Sequence, residues 1–394
     1  MKKTQFYLPT KIEFGSNILE SSLKHVKDYG ERCLIVIGKG SVKKNSILDK
    51  VLNTLKELSI QSFLFEGIET NPSYQVIDQA AEYIRKVPVD FVIGLGGGSV
   101  MDSAKCIAML AVNGGSIWDF VKHNKLKEIK GSKPCICIPT IMATGSEANA
   151  RAVINNPDIK EKSSVFHTFL IPKLAIIDPA LSITVQPQLF AEGVIDTFCH
   201  VLDPYLSTSE TSTIHNRLSE SILKTIIELL PFAISQPDNL IIREQLAWCA
   251  TLSLSGILDG LNGSYPIHYI EHSLSGHFSI RHGNGIAALL IPKMNFDTET
   301  HPERIAQLNR VLFNQNLSCN NITEQAKYCI NSLEYWIKKT RISSRLSNYK
   351  ISPSLMEKLA EDTLRINSVD GTYLKNIRPI DKRGIIQILE MLLQ

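Results

Sequence analysis

The sequence predicts an α/β domain built on a parallel sheet, followed by an all-α domain, and three observations predict it. Short apolar runs alternate with amphipathic helical segments over the first 180 residues. From about residue 185 the pattern changes to long apolar-periodic segments with few strand signals. The 394 residues also exceed what one hydrophobic core accommodates, roughly 250–300 residues. The change falls near Ile176-Ile177-Asp178-Pro179, where a proline stops a strand, so the expected domains are 1–180 and 181–394.

The elements follow in order. Cys33 to Ile37 is an apolar strand ended by Gly38, and a helical stretch covers 45–58. Ser62 to Phe65 is a second strand and Ile68 to Pro72 a loop. Residues 74–86 form a helix, with Val76, Ala80 and Ile84 at helical spacing. Phe91-Val92-Ile93 is a strand that runs into Gly94-Leu95-Gly96-Gly97-Gly98-Ser99, where a helix begins. Another strand covers 135–138. This βαβ repetition calls for parallel strands covered by helices. The second half reads as helices over 188–207, 213–232, 241–258, 264–277, 284–292, 303–313, 322–338 and 353–363.

Composition excludes several function classes. Apolar residues make up 44% of the chain and charged residues 21%, and the net charge is only +3, which gives no electrostatic reason for nucleic acid or an anionic membrane as partner. No apolar run reaches the roughly 18–20 residues of a membrane span. Met1-Lys2-Lys3-Thr4-Gln5 is not followed by an apolar signal core, so a cytoplasmic location is expected. Of eight cysteines, Cys135 and Cys137 share one face of a strand and read as buried core thiols.

Three turns carry candidate nucleotide chemistry. Gly94 to Ser99 links a strand to a helix, where glycines admit a phosphate and the helix N-terminus supplies free N–H groups and partial positive charge. It fits G-x-G-x-x-G only with Ser99 in the last glycine's place, so a tight connection is the competing reading. Asp102 either lines the site or complements the helix dipole. Gly38-Lys39-Gly40-Ser41-Val42-Lys43-Lys44 also follows a strand and holds three lysines and no acid, which favours a ribose 2′-phosphate over a 2′-hydroxyl, against the reading of a solvated basic loop. In Thr140 to Glu147, the hydroxyls of Thr140, Thr144 and Ser146 either bind phosphate or ribose or cap a helix.

A metal constellation lies further on. Asp196 and His200 are spaced i,i+4, one turn apart on a helix face, and His268 and His272 repeat the spacing. Four of the ten histidines, with His277 and His282, fall within 268–282. An Asp with three imidazoles suits Zn²⁺ or Fe²⁺. On spacing alone, His200, His268, His272, His277 and His282 compete for three places. No H-E-x-x-H occurs, which argues against a metalloprotease.

These motifs converge on a family. The chain resembles the iron-containing (group III) alcohol dehydrogenases, and most the branch of butanol dehydrogenases and NADPH-dependent aldehyde reductases. The matching segments are Gly38 to Lys44, Thr70-Asn71-Pro72, Gly96 to Asp102, Thr144 to Glu147, Gly193 to Asp196 with His200, and His268 through Gly283, in the family's order. The resemblance implies a dehydroquinate synthase-like architecture, with the site between a dinucleotide-binding and a helical domain. It implies metal ligands Asp196, His200, His268 and His282, the last two fourteen residues apart. It implies one divalent ion, Fe²⁺ or Zn²⁺, and NADP(H) in preference to NAD(H).

Gly38, Gly40, Ser41, Asn71, Gly97, Gly98, Ser99, Asp102, Thr140, Thr144 and Lys162 are the implied cofactor residues. His272 lies toward the nicotinamide and handles the proton. His277 stands where the family often has a small or aromatic residue, and Phe198, Tyr269 and Phe278 are candidate liners. The implied reaction is hydride transfer between NADP(H) and a small aliphatic alcohol or aldehyde, in a homodimer. The rivals are a polyol or glycerol dehydrogenase of the same architecture and a non-catalytic metal-binding protein.

Overall fold

The structure, a computed structural model, describes residues 4–123, 125–209, 212–278, 280–313, 321–340, 342, 351–368 and 370–393. The strands of the first half are β1 (Lys11–Phe14), β2 (Arg32–Gly38), β3 (Gln61–Ile68), β4 (Phe91–Gly96), β5 (Cys135–Pro139), β6 (Arg151–Asn156), β7 (Glu161–Phe166) and β8 (Leu174–Ile177). Its helices are α1 (Leu19–Ser22), α2 (Ser41–Lys44), α3 (Ile47–Glu57), α4 (Tyr74–Lys86) and α5 (Gly98–Asn113). Six strands form one sheet in the order β1-β8-β5-β4-β2-β3, and every pairing in it is parallel. The strands β6 and β7 pair antiparallel with each other.

The period-2 geometry of a strand sends alternate residues to opposite faces, and here both faces are buried. Leu34, Val36, Val92, Cys135 and Cys137 pack with Ile77 and Ile84 of α4 and Met101, Ala104 and Ile107 of α5. Cys33, Ile35, Ile37, Ile93, Ile136 and Ile138 pack on the other side with Leu19 of α1 and Val51 and Leu55 of α3. Burying each such Ile or Leu contributes about 1.5–3 kcal/mol, which is why these strands read as unbroken apolar runs. Cys135 and Cys137 are buried on one face, among core residues.

The chain divides into two compact units, one of 7–186 with 238–256, the other of 187–237 and 257–394 with the N-terminal residues to Phe6. The second unit contains α6 (Pro187–Leu206) and α7 (Thr213–Ser235). Then α8 (Leu240–Ser253) rejoins the first unit. Its apolar periodicity assigns it by sequence to the helical domain; its side chains decide otherwise. Trp248 stacks on Phe14 with ring centroids 4.3 Å apart, and Ala247 and Ala250 pack with Met142, Ala175 and Ile177. Arg243 Nη1 donates to the Ser182 carbonyl at 2.7 Å.

The helical unit continues with α9 (Pro266–Phe278), α10 (His282–Thr298), α11 (Pro302–Phe313), α12 (Ile322–Lys339) and α13 (Pro353–Asn367), a two-residue pair β9 (Tyr373–Leu374) and β10 (Ile380–Asp381), and α14 (Lys382–Leu393). None of the described helices is long and apolar enough to cross a membrane.

Several expectations need correction. The stretch 45–58 is the single helix α3, and Ser46, in a left-handed conformation (φ 54°), separates it from the short turn α2 that the sequence pattern did not mark. The strands β1, β6 and β7 and the helix α14 carry no signal in the sequence pattern as read. The hairpin is the consequential omission: it is mostly polar, Arg151-Ala152-Val153-Ile154-Asn155-Asn156 against Glu161-Lys162-Ser163-Ser164-Val165-Phe166, so its alternation is weak.

Candidate functional site

In the helical unit, α6 brings Asp196 and His200, α9 brings His268 and His272, and α10 opens on His282. His200 Nδ1, His268 Nε2 and His282 Nε2 each lie 3.4 Å from the same oxygen, Asp196 Oδ1. Asp196 Oδ1, His200 Nδ1 and His268 Nε2 are buried and make no hydrogen bond. A buried polar atom left so costs about 1–3 kcal/mol, and three together call for a group that satisfies them. Two donors each about 2.1 Å from a tetrahedral ion stand about 3.4 Å apart, which is the spacing found here. The donors, three imidazoles and a carboxylate, suit a divalent Zn²⁺ or Fe²⁺ ion. Asp196, His268 and His282, whose ligand atoms all lie within 4.8 Å of one another, fit such a group, and His200 stands beside them through its approach to Asp196.

The helices reach this arrangement through specific contacts. The Asp203 carboxylate, one turn beyond His200 on α6, accepts from the Ile267 amide at 3.0 Å and from His268 Nδ1 at 2.9 Å. It thus satisfies the first turn of α9 and holds the proton of His268 on Nδ1, leaving Nε2 as a lone-pair donor. Glu271 does the same for His282 Nδ1 and also accepts from the Ser275 hydroxyl. Two glycines let α10 approach. A Cβ at Gly283 would stand 2.6 Å from the Glu192 carbonyl oxygen, and one at Gly285 2.7 Å from Glu271 Cγ. Arg281, next to His282, bonds Glu192 at 2.6 Å, one turn before Asp196 on α6. Asp203, Glu271, Glu192 and Arg281 are absent from the sequence-based site; their signal was spacing, Asp203 at i+7 from Asp196 and Glu271 between two histidines.

Electrostatics follows the geometry. Burial pushes the Asp196 carboxyl up, but His200, His282 and His268 outweigh it and hold it well below its ordinary range. Burial lowers His200 to about 3, against the pull of Asp196. Burial also acts to lower His268, yet the adjacent carboxylates of Asp196 and Asp203 raise it to about 9.

The remaining aromatic candidates separate. His272 is buried on α9, its ring 5.8 Å from that of His282, and belongs with Glu271 and His282 to a second group of closely spaced ligand atoms. His277 is not in the centre: its Nε2 lies 3.0 Å from Asp362 Oδ2, a contact that clamps α9 to α13. Phe198 is a core residue packed on Trp336, so it is no liner. Tyr269 and Phe278 are half-buried on α9. Tyr265, missed by the sequence reading, sets its ring 5.7 Å from His268 and 6.4 Å from His200.

The candidate cofactor residues lie in the α/β unit, at the C-terminal edge of adjacent parallel strands, where open α/β sheets bind ligands. Gly38 ends β2, Gly97 follows β4, Thr140 follows β5, and Asn71 follows β3 in a left-handed conformation (φ 56°). Gly97 caps α5, whose first residues are Gly98 and Ser99. A Cβ on Gly98 would lie 2.7 Å from Thr144 Cγ2 and Oγ1, so the glycine turn and the 140–146 segment are in close contact. Asp102 accepts from the Ser146 hydroxyl and, at 2.8 Å, from the Val153 amide of the hairpin. In that hairpin Lys162 is buried and pairs in register with Asn155, whose amide donates to the Pro72 carbonyl at 2.9 Å. The hairpin therefore carries Lys162, bonds Asp102 and is tied to Pro72, the neighbour of Asn71.

Gly40 (φ 127°) and Ser41 start α2. The loop is less purely basic than its sequence. Lys39 pairs with Glu69 at 2.5 Å and Lys43 with Glu66, both acids delivered by β3 and the turn after it.

Comparison with known proteins decides the family. The family model for iron-containing alcohol dehydrogenase matches residues 9–179, and that for the C-terminal part of the Fe-containing alcohol dehydrogenase family matches 190–393. The chain belongs to the iron-containing alcohol dehydrogenase family. It is 31% identical to NADH-dependent butanol dehydrogenase B of Clostridium acetobutylicum over 98% of each chain. It is also 31% identical to the NADPH-dependent aldehyde reductase YqhD of Escherichia coli, over 92% of this chain and 94% of that one. The crystal structure of NADH-dependent butanol dehydrogenase A from Thermotoga maritima superposes with a TM-score of 0.93 at 30% identity, covering 100% of this chain and 99% of the other. Like other members of the family, the chain is an oxidoreductase that interconverts alcohols and aldehydes with NAD(P)H.

Proposed function

We propose that the chain is an aldehyde reductase and alcohol dehydrogenase for small aliphatic substrates, using one divalent ion on Asp196, His200, His268 and His282 and preferring NADP(H). The observation that carries this reading is the set of three imidazole nitrogens 3.4 Å from one carboxylate oxygen. When bound, the ion supplies a Lewis acid for a carbonyl or alcohol oxygen, and the nicotinamide supplies or accepts the hydride.

The chain's own residues do the rest. Asp203 and Glu271 orient the imidazoles of His268 and His282 through their Nδ1 atoms. His272, on the same helix as His268, donates a ring-nitrogen proton to the product oxygen in reduction and takes it back in oxidation. Tyr265 packs edge-on against the rings of His200 and His268 and helps to fix them. Gly97, Gly98 and Ser99 hold the pyrophosphate on the α5 N-terminus. Asn71, Asp102, Thr140, Thr144 and Lys162 line the remainder of the dinucleotide.

NADP preference rests on Lys39, Lys43 and Lys44 around Gly38, Gly40 and Ser41. Relatives at the same identity use either cofactor by name, so overall similarity does not decide it. The pairs Lys39–Glu69 and Lys43–Glu66 are exposed, and such pairs contribute only about 0–1 kcal/mol, so a 2′-phosphate competes well for the lysines. A homodimer belongs to the same reading.

One experiment tests it: metal analysis of the purified protein coupled to a screen of NADPH and NADH oxidation with butanal and other aldehydes, glycerol being offered in the reverse direction. The expected result is one equivalent of iron or zinc per chain, butanal turned over in preference to glycerol, and a lower KM for NADPH. A clear NADH preference overturns the cofactor reading; a metal-free active enzyme overturns the metal site.

A further inference from the structure

We propose that Lys105 is a positioning residue for the dinucleotide: its buried ammonium winds the 144–153 segment against the N-terminus of α5. The proposal rests on the reading of the glycine turn as the dinucleotide site. Lys105 lies on α5 one turn past Asp102, and its side chain is fully buried. An ammonium has three N–H donors, and Nζ meets three acceptors: the Ser146 carbonyl at 3.0 Å, Asn149 Oδ1 at 3.2 Å, and the Arg151 carbonyl. Asp102 Oδ1 lies 3.5 Å away as the nearby carboxylate.

Two of the acceptors, on Ser146 and Asn149, belong to the short stretch between β5 and β6 whose only regular structure is the single turn Ser146–Ala148, and the third, on Arg151, opens β6. Other bonds also hold that stretch: the Ala148 amide donates to the Gly145 carbonyl at 3.1 Å, the His167 amide to the Ala150 carbonyl at 3.1 Å, and the Thr251 hydroxyl to Glu147 Oε1 at 2.7 Å. Asn149 Nδ2 donates to the Gly145 carbonyl at 2.9 Å, and the Arg151 amide to Asn149 Oδ1 at 2.9 Å. Gly145 turns the chain in a left-handed conformation (φ 58°) into the stretch.

The consequence reaches the glycine turn at two points. Thr144 is pressed against Gly98, and the Val153 amide bonds Asp102 Oδ2 at 2.8 Å. Removing the ammonium takes a donor from the buried Ser146 carbonyl and from the Arg151 carbonyl, leaves Asn149 Oδ1 with the Arg151 amide alone, and lets the segment shift away from α5 toward water. Stability alone is a weak reason for a buried charge, since apolar residues of similar volume commonly serve as well. A role in shaping a binding surface is the stronger one.

Lys105→Met removes the charge and keeps the volume. Each hydrogen bond to a charged group is a substantial interaction, so a rise of about tenfold or more in both Kd and KM for NADPH is expected. At saturating NADPH kcat should stay within about threefold of wild type, and the metal content should not change, since its four candidate ligands lie in the other unit. In Lys105→Ala, propylammonium should restore NADPH affinity and have no such effect on wild type. A Kd for NADPH within about twofold of wild type in Lys105→Met, or the absence of amine rescue, overturns the proposal. Should Lys105→Met not fold, Asn149→Ala carries the test on a half-buried loop residue: about a threefold weakening supports the role and no change overturns it. Wild-type protein that binds neither NADPH nor NADH overturns the underlying dinucleotide reading instead.

Discussion

The two candidate sites are built from different parts of the chain. In the helical unit, the metal centre is made of side chains: one carboxylate and three imidazoles, each imidazole nitrogen 3.4 Å from one oxygen, with Asp203 and Glu271 behind them. In the α/β unit, the dinucleotide loops are made of backbone: glycine turns at strand ends, a helix N-terminus, and small residues that let segments approach. A side-chain site depends on residue type and orientation, and a substitution there removes chemistry. A backbone site depends on what is missing, a Cβ, so a substitution there adds an obstacle. The first should fail through metal content or turnover, the second through cofactor affinity.

The largest expected effect is at His272. His272→Ala should lower kcat by about 10²–10⁴-fold while the metal content measured by elemental analysis stays at wild-type level. Loss of metal in this variant would move His272 into the ligand set and erase its distinction from His268. Next comes Asp203→Asn. It keeps the shape but weakens the acceptor for His268 Nδ1, so metal affinity in a chelator competition should fall about 10–100-fold, with NADPH affinity unchanged. Equal losses of metal and NADPH affinity would mean that the two candidate sites do not fail separately. The smallest effect is at Gly98→Ala, whose new Cβ presses on Thr144. Its KM for NADPH should rise about tenfold or less, because a side-chain end can move aside, with metal content unchanged. A Gly98→Ala enzyme with wild-type KM would show that the turn does not touch the cofactor.

Legibility followed the same division. The i,i+4 spacing of Asp196 and His200 needs only a helix to put both on one face, and α6 supplies it. The alternation of strands and helices was readable because buried parallel strands are unbroken apolar runs. The hairpin that carries Lys162, bonds Asp102 and is tied to Pro72 was not, since its polar strands lack that signature. The family resemblance supplied Asn71 and Lys162 without saying what joins them.

His277 shows the opposite limit. Its position among four histidines suggested a neighbour of the metal, and only the packing of α13, 85 residues further on, reveals Asp362 as its partner. Lys39 and Lys43 read as a basic loop until β3 lays Glu69 and Glu66 beside them.

By itself, then, the sequence determined the fold class, the helix faces that carry the ligands and the glycine turn after β4, because each follows from local periodicity and short-range sterics. The tertiary structure alone decided which imidazole nitrogens converge on Asp196, which acids hold them, where α8 packs and what Lys105 binds. Those outcomes depend on contacts between residues far apart in the chain, and no local pattern encodes them.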